Sequence, residues 1–285
     1  MSQADGTSRA TSRGRAPRVT VVTAVFNAVE TIEATLASVA SQSVSDLEHL
    51  VIDGGSTDGT LAIIRAAGPR VRLVSDRDHG IYDAFNRGLA LARGEWIHLL
   101  NADDAYAHDE VVARVLEESA RDPSAGIIHA DLDCVDQAGQ VVRRLRFAPG
   151  DEALNFALEM PVNHPTVFVA RRVYAALGGF DATFRLAGDY DYLLRAHLAG
   201  VRLRHVPDVF IRMRVGGRSE QQMLSRLETM RSYLHRTGRL PWRQLVRFIK
   251  SHVLDDYVPT TSAALGALKR ALLPAAPSLR RDPGS

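Results

Sequence analysis

Short apolar segments alternate with amphipathic ones over the first hundred residues, and this alternation constrains the fold more than any other feature of the sequence. Residues 18–26, 50–52, 71–75 and 96–100 are rich in Val, Ile and Leu, which is typical of buried strands. The segments between them have the apolar spacing of helices. Strands joined through helices pair in parallel with right-handed crossovers, so we expect an α/β fold with a mostly parallel central sheet flanked by helices.

Polar residues follow the predicted strands, and they are Asn27, Asp53, Asp78, Asp103 and Asp104. The carboxyl ends of parallel strands lie along one edge of a sheet, where ligands bind, so we expect these residues to meet at one cleft. Adjacent carboxylates repel each other, and the Asp103–Asp104 pair therefore indicates a cation or strongly hydrogen-bonded surroundings. Mg²⁺ or Mn²⁺ prefers oxygen ligands and is often held by one or two carboxylates and a substrate phosphate.

Each of these aspartates also has a structural interpretation. One member of the Asp103–Asp104 pair could cap the following helix, and Asp53 could form a turn with the glycine after it. Asp58 is better explained as a helix cap, and Asp83 as a solvated helix residue, than as a ligand.

The remainder of the chain has a less regular pattern. Helices are predicted at about residues 109–120, 152–159 and 188–200, with a short helix ending at residue 177. Strands are predicted at residues 127–135, 141–147 and 166–170, with a strand pair within residues 201–215. The first two of these strands have the spacing of an antiparallel pair.

Composition excludes several functional classes. The net charge of +2 gives no field for a nucleic-acid partner, and the single cysteine, Cys134, cannot form an internal disulfide. The polar N-terminus lacks the apolar core of a secretory signal, and no apolar run reaches the roughly 18 residues of a spanning helix. We therefore expect a cytoplasmic protein whose membrane contact, if any, is peripheral, at the inner face of the plasma membrane.

Three segments together closely resemble glycosyltransferase family 2. They are DGGSTDGT at residues 53–60, DHGIYDAFNRG at 78–88 and LLNADD at 99–104, in the order expected for that family. The resemblance extends from about residue 18 to residue 217. It implies a GT-A (Rossmann-like) fold and inverting transfer of a sugar from a nucleoside-diphosphate sugar to an acceptor hydroxyl, with Mn²⁺ or Mg²⁺ bound at the diphosphate.

The same resemblance implies roles for individual residues. Ala24, Asn27, Asp53 and Asp78 match nucleotide-contacting positions of the family. Asp103 and Asp104 match its Asp-x-Asp-like element, which places Asp104 on the metal and Asp103 nearer the ribose or the donor sugar. Many relatives carry Arg where this chain has Phe85, so some contact to phosphate or sugar is supplied differently here.

An inverting displacement needs a base that removes the proton of the acceptor hydroxyl, and a carboxylate suffices. The segment LAGDYDYLLR at residues 186–195 resembles the family's Glu-Asp pair followed by a helix ending in Leu-x-x-Arg. On this register Asp189 is the base, and Gly188 stands where the family usually has an acidic residue. Asp191 is the alternative base, although it could instead stabilise the dipole of the helix.

Further residues are assigned to the acceptor side. His164 resembles a histidine at the entry to the strand below the acceptor site, and Asp181 is placed on the same side. A hydrogen-bonded structural histidine is an equal alternative for His164, as it is for His98 and His129. The second Asp-x-Asp string, at residues 131–133, is expected in a turn or on the acceptor side, and residues 216–219 match a loop that closes over diphosphate in relatives.

The resulting domain organisation has three parts. We expect residues 1–17 to be a disordered basic tail, residues 18–218 to be the catalytic domain and residues 219–285 to be a basic helical extension. The catalytic domain divides at residue 105 into a nucleotide-binding half and an acceptor half. The extension is either a solvated helix packed on the domain or a peripheral anchor on anionic lipid, which favours a lipid-linked or cell-envelope glycan as acceptor.

Two other functions are compatible with aspartates at strand ends. A Mg²⁺-dependent phosphotransfer enzyme is disfavoured because the chain lacks a GxxxxGK[ST] loop and a nucleophilic Asp-x-Asp-x-Thr segment. A catalytically silent protein that binds nucleotide-sugars is not distinguished from an enzyme by sequence.

Overall fold

The computed structural model describes residues 16–147, 156, 160, 162–215, 222–242 and 245–246. The strands in these ranges are β1 (Val19–Val25), β2 (Leu47–Asp53), β3 (Val71–Ser75), β4 (Trp96–Leu99), β5 (Asp104–Tyr106), β6 (Ile127–Val135), β7 (Val141–Leu145), β8 (Phe168–Ala170) and β9 (Leu203–Arg214). The helices are α1 (Ile32–Ala40), α2 (Thr60–Ala66), α3 (Ile81–Leu91), α4 (Val111–Arg121), α5 (Arg171–Leu177), α6 (Gly188–Leu198) and α7 (Gln222–Thr237), and a 3₁₀ turn covers His164–Thr166.

All nine strands belong to one sheet in the order β3-β2-β1-β4-β8-β6-β9-β5, with β7 paired to β6. The first four strands are parallel, as the alternation predicts. β8 is antiparallel to both β4 and β6, and β6 runs parallel to β9. The α/β class is confirmed, and the parallel part of the sheet is concentrated in the half that carries the aspartates at its strand ends.

The parallel half is held by a core in which helix and sheet backbones come very close. Val19, Val21 and Val22 of β1 are fully buried. A Cβ atom at Gly88 of α3 would lie 2.3 Å from a methyl group of Val22, and one at Gly94 would lie 2.4 Å from the backbone nitrogen of Thr20. These glycines allow α3 and the turn before β4 to pack directly on β1, which fixes where the adjacent strands end.

For the second half, one prediction is wrong, and a second is wrong in one of its two alternatives. Residues 203–214 form the single strand β9 instead of a strand pair, and its partners are β6 and β5. The register between β6 and β9 shifts on either side of Asp131. The Asp131–Asp133 string lies inside β6 and not in a turn, and its alternative placement on the acceptor side stays a prediction. β5 was not predicted, because a three-residue strand has too little periodicity to detect.

Several predictions fall outside the described residues. They are the N-terminal tail as far as residue 15, most of the predicted helix at 152–159, the loop at 216–219 and residues 247–285. Within the part of the chain that the structure describes, no helix has both the length and the apolar character needed to span a bilayer.

Candidate active site

The loops after β1 and β2 are joined by Asn27. Its backbone N–H donates to Ser56 Oγ at 2.8 Å, and its side-chain oxygen accepts from the backbone N–H of Thr57 at 2.9 Å. Asn27 has a positive φ of 49°, a conformation that asparagine tolerates better than most residues. The backbone of this loop is thereby fixed at the carboxyl edge of the sheet.

Asp53 is fully buried at the end of β2 and orders the loop that follows it. Its carboxylate accepts hydrogen bonds from Ser75 Oγ at 2.7 Å and from the backbone N–H groups of Gly55 at 3.0 Å and Ser56 at 3.2 Å. The contacts of Asp53 are those expected if it stabilises the turn after β2. Its contact with a nucleotide stays a prediction.

Asp78 approaches the same loop from the end of β3. A Cβ atom at Gly54 would lie 2.5 Å from Asp78 Oδ2, so the glycine leaves the space that this carboxylate fills. The other carboxylate oxygen accepts from the backbone N–H of Gly80 at 3.1 Å, immediately before α3.

An open cleft of about 770 Å³ lies along this edge. Four of the predicted site residues contribute to its wall, and they are Ala24, Asn27, Asp78 and Asp103. Most of the rest of the wall comes from residues 28–31 before α1, from Asp58, from residues 101–102 and from the start of α3. The volume is within the range of about 300–1,000 Å³ typical of ligand sites. A groove of similar size between α1 and α2 contains none of the predicted site residues.

Asp103 and Asp104 differ sharply in environment. Asp103 is exposed in the cleft, whereas Asp104 is only 2% exposed and begins β5. Asn101 Nδ2 donates to Asp104 Oδ2 at 3.0 Å. Burial, together with the neighbouring Asp103 carboxylate, raises the pKa of Asp104 to about 7.

The environment of Asp104 fits a divalent cation. No ion pair neutralises its carboxylate among the described residues, and a buried carboxylate without a cation is unfavourable. The same residues contain no group of three or more acidic, histidine or cysteine side chains that could hold a metal. A cation here would therefore take most of its ligands from substrate and water, as Mg²⁺ commonly does.

Asp189 lies in the first turn of α6, partly exposed. Tyr82 Oη donates to Asp189 Oδ1 at 3.2 Å, which connects α6 to the helix that borders the cleft. Burial, reinforced by the Asp189 charge, raises the pKa of the Tyr82 hydroxyl far above its ordinary value, so this group stays a donor. Asp189 also lines a small cavity with His164 and Phe180.

The structure explains why Gly188 precedes Asp189. A Cβ atom at position 188 would lie 2.8–2.9 Å from three carbon atoms of the Tyr82 ring. The acidic side chain that the family usually has at this position therefore cannot coexist with Tyr82 in its observed place.

Asp191 is fully buried and surrounded by donors. Its carboxylate pairs with Arg195 Nε at 3.0 Å, with Arg236 Nε at 2.9 Å and Nη2 at 3.1 Å, and with Ser232 Oγ at 2.8 Å. These contacts make Asp191 a buried anchor between α6 and α7, unlike Asp189.

The residues assigned to the acceptor side lie in two places. His164 shares the small cavity with Asp189, and its ring packs edge-on against Phe85. Asp181 accepts from the backbone N–H of Thr183 at 2.9 Å and lies 3.9 Å from Arg236. Their acceptor roles stay predictions.

His98 and the second Asp-x-Asp string make local contacts, whereas the buried Nδ1 of His129 has no hydrogen-bond partner among the described residues. His98 contacts Tyr106 Oη at 2.8 Å and the carbonyl of Pro165 at 2.9 Å, as a structural histidine would. Asp131 pairs with His205 at 3.0 Å and Asp133 with Arg146 at 3.0 Å.

The aspartates near the start of α2 and α3 have similar local roles. Asp58, which lines the cleft, accepts from Thr60 at the start of α2 and from Val29 N, and the second bond joins its loop to the segment before α1. Asp83 accepts from the backbone N–H of His79 at 3.1 Å.

Two residues near Asp189 were not predicted from the sequence. Tyr82 reaches Asp189 across 107 positions of sequence. Glu228 of α7 accepts hydrogen bonds from the backbone N–H groups of residues 185–187, just before α6. Neither residue carries a local pattern that reveals so distant a partner.

Known sequences resemble this chain over 63–65% of its length. The chain is 29% identical over 186 residues to a PGL/p-HBAD biosynthesis glycosyltransferase of Mycobacterium tuberculosis, covering 63% of this chain and 70% of that protein. It is 32% identical over 186 residues to an uncharacterized glycosyltransferase of the same species, covering 64% and 70%. It is 30% identical over 189 residues to chondroitin synthase of Escherichia coli, covering 65% of this chain and 27% of that protein.

Solved structures share the fold. A mannosyltransferase of Pyrobaculum calidifontis in complex with GDP-Man and Mn²⁺ superposes with a TM-score of 0.59 at 24% identity, covering 90% of this chain and 81% of that one. S. aureus TarS 1-349 in complex with UDP-GlcNAc gives 0.64 at 16% identity, covering 82% and 73%. These likenesses establish a GT-A fold.

The family model described as Glycosyl transferase family 2 matches residues 20–177, which is more than half of the 285-residue chain. The match ends with α5 and leaves α6 and α7 beyond it. The sequence match and the fold agree, and the chain belongs to glycosyltransferase family 2.

Proposed function

We propose that this glycosyltransferase moves a sugar from a nucleoside-diphosphate sugar to an acceptor hydroxyl with inversion at the anomeric carbon. The observation that carries the proposal is the single cleft formed by Ala24, Asn27, Asp78 and Asp103, beside a helix that hydrogen-bonds Asp189. The donor occupies the cleft, and the acceptor approaches from the side of Asp189.

The nucleotide side of the cleft is preorganised. Hydrogen bonds of Asn27 and Asp53 order the backbone of this loop. Asp78 can lie against the loop because Gly54 has no side chain. Rigid polar groups bind a ligand without a further ordering cost, which favours a donor nucleotide here.

The carboxylate of Asp104, with Asp103 beside it, would hold Mn²⁺ or Mg²⁺ at the donor diphosphate. Such an ion supplies charge stabilisation for the departing nucleoside diphosphate. Asp104 is buried and has no ion-pair partner in the described part of the chain, so its carboxylate gains most from such an ion.

Asp189 is the base of the proposed reaction. It accepts the proton of the acceptor hydroxyl as that oxygen bonds to the anomeric carbon and the bond from that carbon to the diphosphate breaks. The Tyr82 hydroxyl donates to Oδ1 of this carboxylate, and in the proposed reaction Oδ2 takes the proton. The complete burial of Asp191 and its pairs with two arginines favour Asp189 over Asp191 as the base.

The substrates are proposed from the named relatives. The M. tuberculosis relative is a PGL/p-HBAD biosynthesis enzyme, and two structural neighbours contain GDP-Man or UDP-GlcNAc. We infer a lipid-linked or cell-envelope glycan as the acceptor. A thermal-shift panel of UDP and GDP sugars with Mn²⁺ identifies the donor, because a ligand that binds only the folded protein raises its Tm.

The base assignment is tested with Asp189→Asn. We expect a loss of at least about 100-fold in turnover, consistent with the usual contribution of general-base catalysis, with donor binding unchanged. Release of nucleoside diphosphate reports turnover, and Asp109→Asn, at an exposed position outside the cleft, is the matched control. Wild-type turnover by folded Asp189→Asn would refute the role.

Peripheral membrane contact is proposed for the segment from α7 onward. Leu227, Leu234, Leu240 and Trp242 are 44%, 45%, 45% and 64% exposed. Residues 229–254 contain six Lys or Arg and no Asp or Glu. Exposed apolar side chains among basic residues are typical of contact with anionic lipid, at the cytoplasmic face of a membrane.

Vesicle sedimentation tests this contact. The double variant Leu240→Ala/Trp242→Ala should bind vesicles containing phosphatidylglycerol several-fold more weakly than the wild type. Leu198→Ala, which removes a leucine that is 52% exposed on α6, should not. The proposal would be contradicted if the wild type, the double variant and Leu198→Ala bound vesicles equally well. Wild-type binding by a chain lacking residues 240–285 would also contradict it.

A further inference from the structure

We infer that α7 positions the catalytic base, through a face formed by Glu228, Ser232 and Arg236. This inference rests on the proposed role of Asp189. These three residues are spaced by four, so they lie on one side of the helix. Glu228 and Ser232 are 7% and 1% exposed, whereas Leu227 and Leu234 on other sides of α7 are open to solvent.

Glu228 holds the backbone that leads into α6. One of its carboxylate oxygens accepts from Leu186 N at 2.8 Å and Ala187 N at 2.9 Å, and the other accepts from Arg185 N at 3.0 Å. These donors are the N-cap residue of α6, Ala187, and the two residues before it, at the end of the helix where its dipole favours an anion. Here that anion comes from a helix about 40 residues further along the chain, and Asp189 lies two residues after the last of these donors.

Ser232 and Arg236 hold α6 at a second point. Both donate to the buried carboxylate of Asp191, at 2.8 Å and 2.9 Å. Arg195 completes the pairing of that carboxylate and also donates to the carbonyls of Leu177 and Gly179. Contacts of α7 therefore bracket Asp189, one before it in sequence and one after it.

This bracketing acts on the base more than on the donor cleft. The wall of the cleft comes from the first hundred or so residues, and α7 contributes none of its lining. If Glu228 loses its charge, the entry to α6 loosens and Asp189 departs from its position, while the nucleotide loops keep theirs. Small displacements of a reacting group are costly, on the order of 100-fold for about 1 Å.

The test compares Glu228→Gln with Glu117→Gln, a half-exposed glutamate on α4. Hydrogen exchange monitored by mass spectrometry should show faster exchange at residues 184–190 in Glu228→Gln alone. Turnover of GDP-mannose, UDP-GlcNAc and UDP-glucose with Mn²⁺ should fall about 10- to 100-fold in kcat, and the affinity for UDP and GDP should stay within about two-fold.

Combination with Asp189→Asn separates positioning from general stability. Because Glu228 is inferred to act through Asp189, Glu228→Gln should reduce the residual turnover of Asp189→Asn by less than about two-fold. The inference would be overturned if Glu228→Gln reduced the turnover of Asp189→Asn by as much as it reduces that of the wild type. It would also be overturned if hydrogen exchange at residues 184–190 were the same in Glu228→Gln and the wild type. If Glu228→Gln does not fold, Ser232→Ala is tested instead, because it leaves both arginines on Asp191. We then expect smaller increases in hydrogen exchange and a smaller loss of kcat.

The two proposals fail in different ways. If Asp189→Asn alone retains wild-type turnover, the proposed base is wrong, and α7 then positions no base even if exchange accelerates. If Asp189→Asn is inactive and Glu228→Gln lowers nucleotide affinity as much as kcat, the base stands and the positioning role of α7 is refuted.

Discussion

Gly188 shows how one side chain in this site excludes another. Glycine to alanine at the start of a helix ordinarily adds stability through helix propensity. Here the added methyl group would meet the Tyr82 ring at 2.8 Å, so we expect Gly188→Ala to lower the free energy of unfolding by about 1–3 kcal/mol.

Urea denaturation measures this effect. Tyr82→Leu removes the ring, and the double variant Gly188→Ala/Tyr82→Leu should recover most of the loss that alanine causes at position 188. A Gly188→Ala protein as stable as the wild type would show that the ring moves aside at little cost.

Asp104 gives the metal-free protein a characteristic dependence on pH. Its folded pKa of about 7 exceeds the usual 3.8, so between these values the folded protein keeps a proton that the unfolded chain has lost. Stability from this group is complete below the unfolded pKa and is lost as pH rises through 7. Asp104→Asn should therefore be more stable than wild type at pH 8, by at most about 4 kcal/mol, with a smaller gain at pH 5.

Thermal unfolding in EDTA at the two pH values measures this difference. Asp109→Asn, at an exposed position, should change neither Tm. The opposite trend, with a larger gain at pH 5, would show that the Asp104 carboxylate is already stabilised by protein groups.

At this scale the sequence predicts which residue types gather at the sheet edge but not which of them face solvent. Asp103 and Asp104 are neighbours in one motif, yet only Asp104 is buried. Asp189 and Asp191 are also close in sequence, yet only Asp191 is fully buried and paired with Arg236. Burial depends on distant elements, which a local motif does not encode.

Among the elements, the contact between the turn before β4 and strand β1 tolerates no side chain. A Cβ atom at Gly94 would lie 2.4 Å from Thr20 N and 2.7 Å from the carbonyl carbon of Val19, and backbone atoms cannot rotate away. Gly94→Ala must therefore separate β1 from β4, and we expect a loss of at least about 2 kcal/mol.

Gly139→Ala is the control for this prediction. Gly139 has a φ of 78°, and a Cβ atom there would have no neighbour within 4 Å, so alanine should cost only about 1–2 kcal/mol of backbone strain. Chemical denaturation compares the two variants. Equal losses would mean that the close approach at Gly94 contributes nothing specific.

The elements of the parallel half were predictable because each strand and its helix are adjacent in sequence. β6 was predicted with its observed limits as well. β9 was predicted as two strands because Pro207 and polar residues interrupt its pattern, whereas pairing with β6 and β5 keeps it continuous. The residues of β9 alone do not indicate one continuous strand, because the strand is stabilised by partners that are remote in sequence.

For the molecule as a whole, buried histidines predict sensitivity to acid. Burial lowers the pKa of His49 to about 4 and the pKa values of His98 and His129 to about 3. The unfolded chain binds these protons near pH 6.5, so the stability is present above that pH and is lost as pH falls toward 4. We expect the free energy of unfolding to decrease over this range.

Substitution isolates the contribution of one histidine. His49→Gln should reduce the change in the free energy of unfolding between pH 6.5 and pH 4 by up to about 3 kcal/mol. The side chain of His79 is 95% exposed, so His79→Gln should leave that change as it is in the wild type. Urea unfolding at several pH values measures both. Parallel curves for His49→Gln and wild type would show that His49 is protonated in the folded protein.

The contacts of Glu228 and Arg236 with α6 also bear on how chimeric enzymes should be built. An exchange of acceptor specificity between relatives that joins the chains at the end of the matched family region, near residue 177, would replace α6 and α7 together. A junction between residues 198 and 222 would instead combine an α6 from one parent with an α7 from another. Where the second parent lacks a basic residue at the position of Arg236, such a hybrid would leave the buried carboxylate of Asp191 without that partner, so crossover points for recombination belong before α6 or after α7.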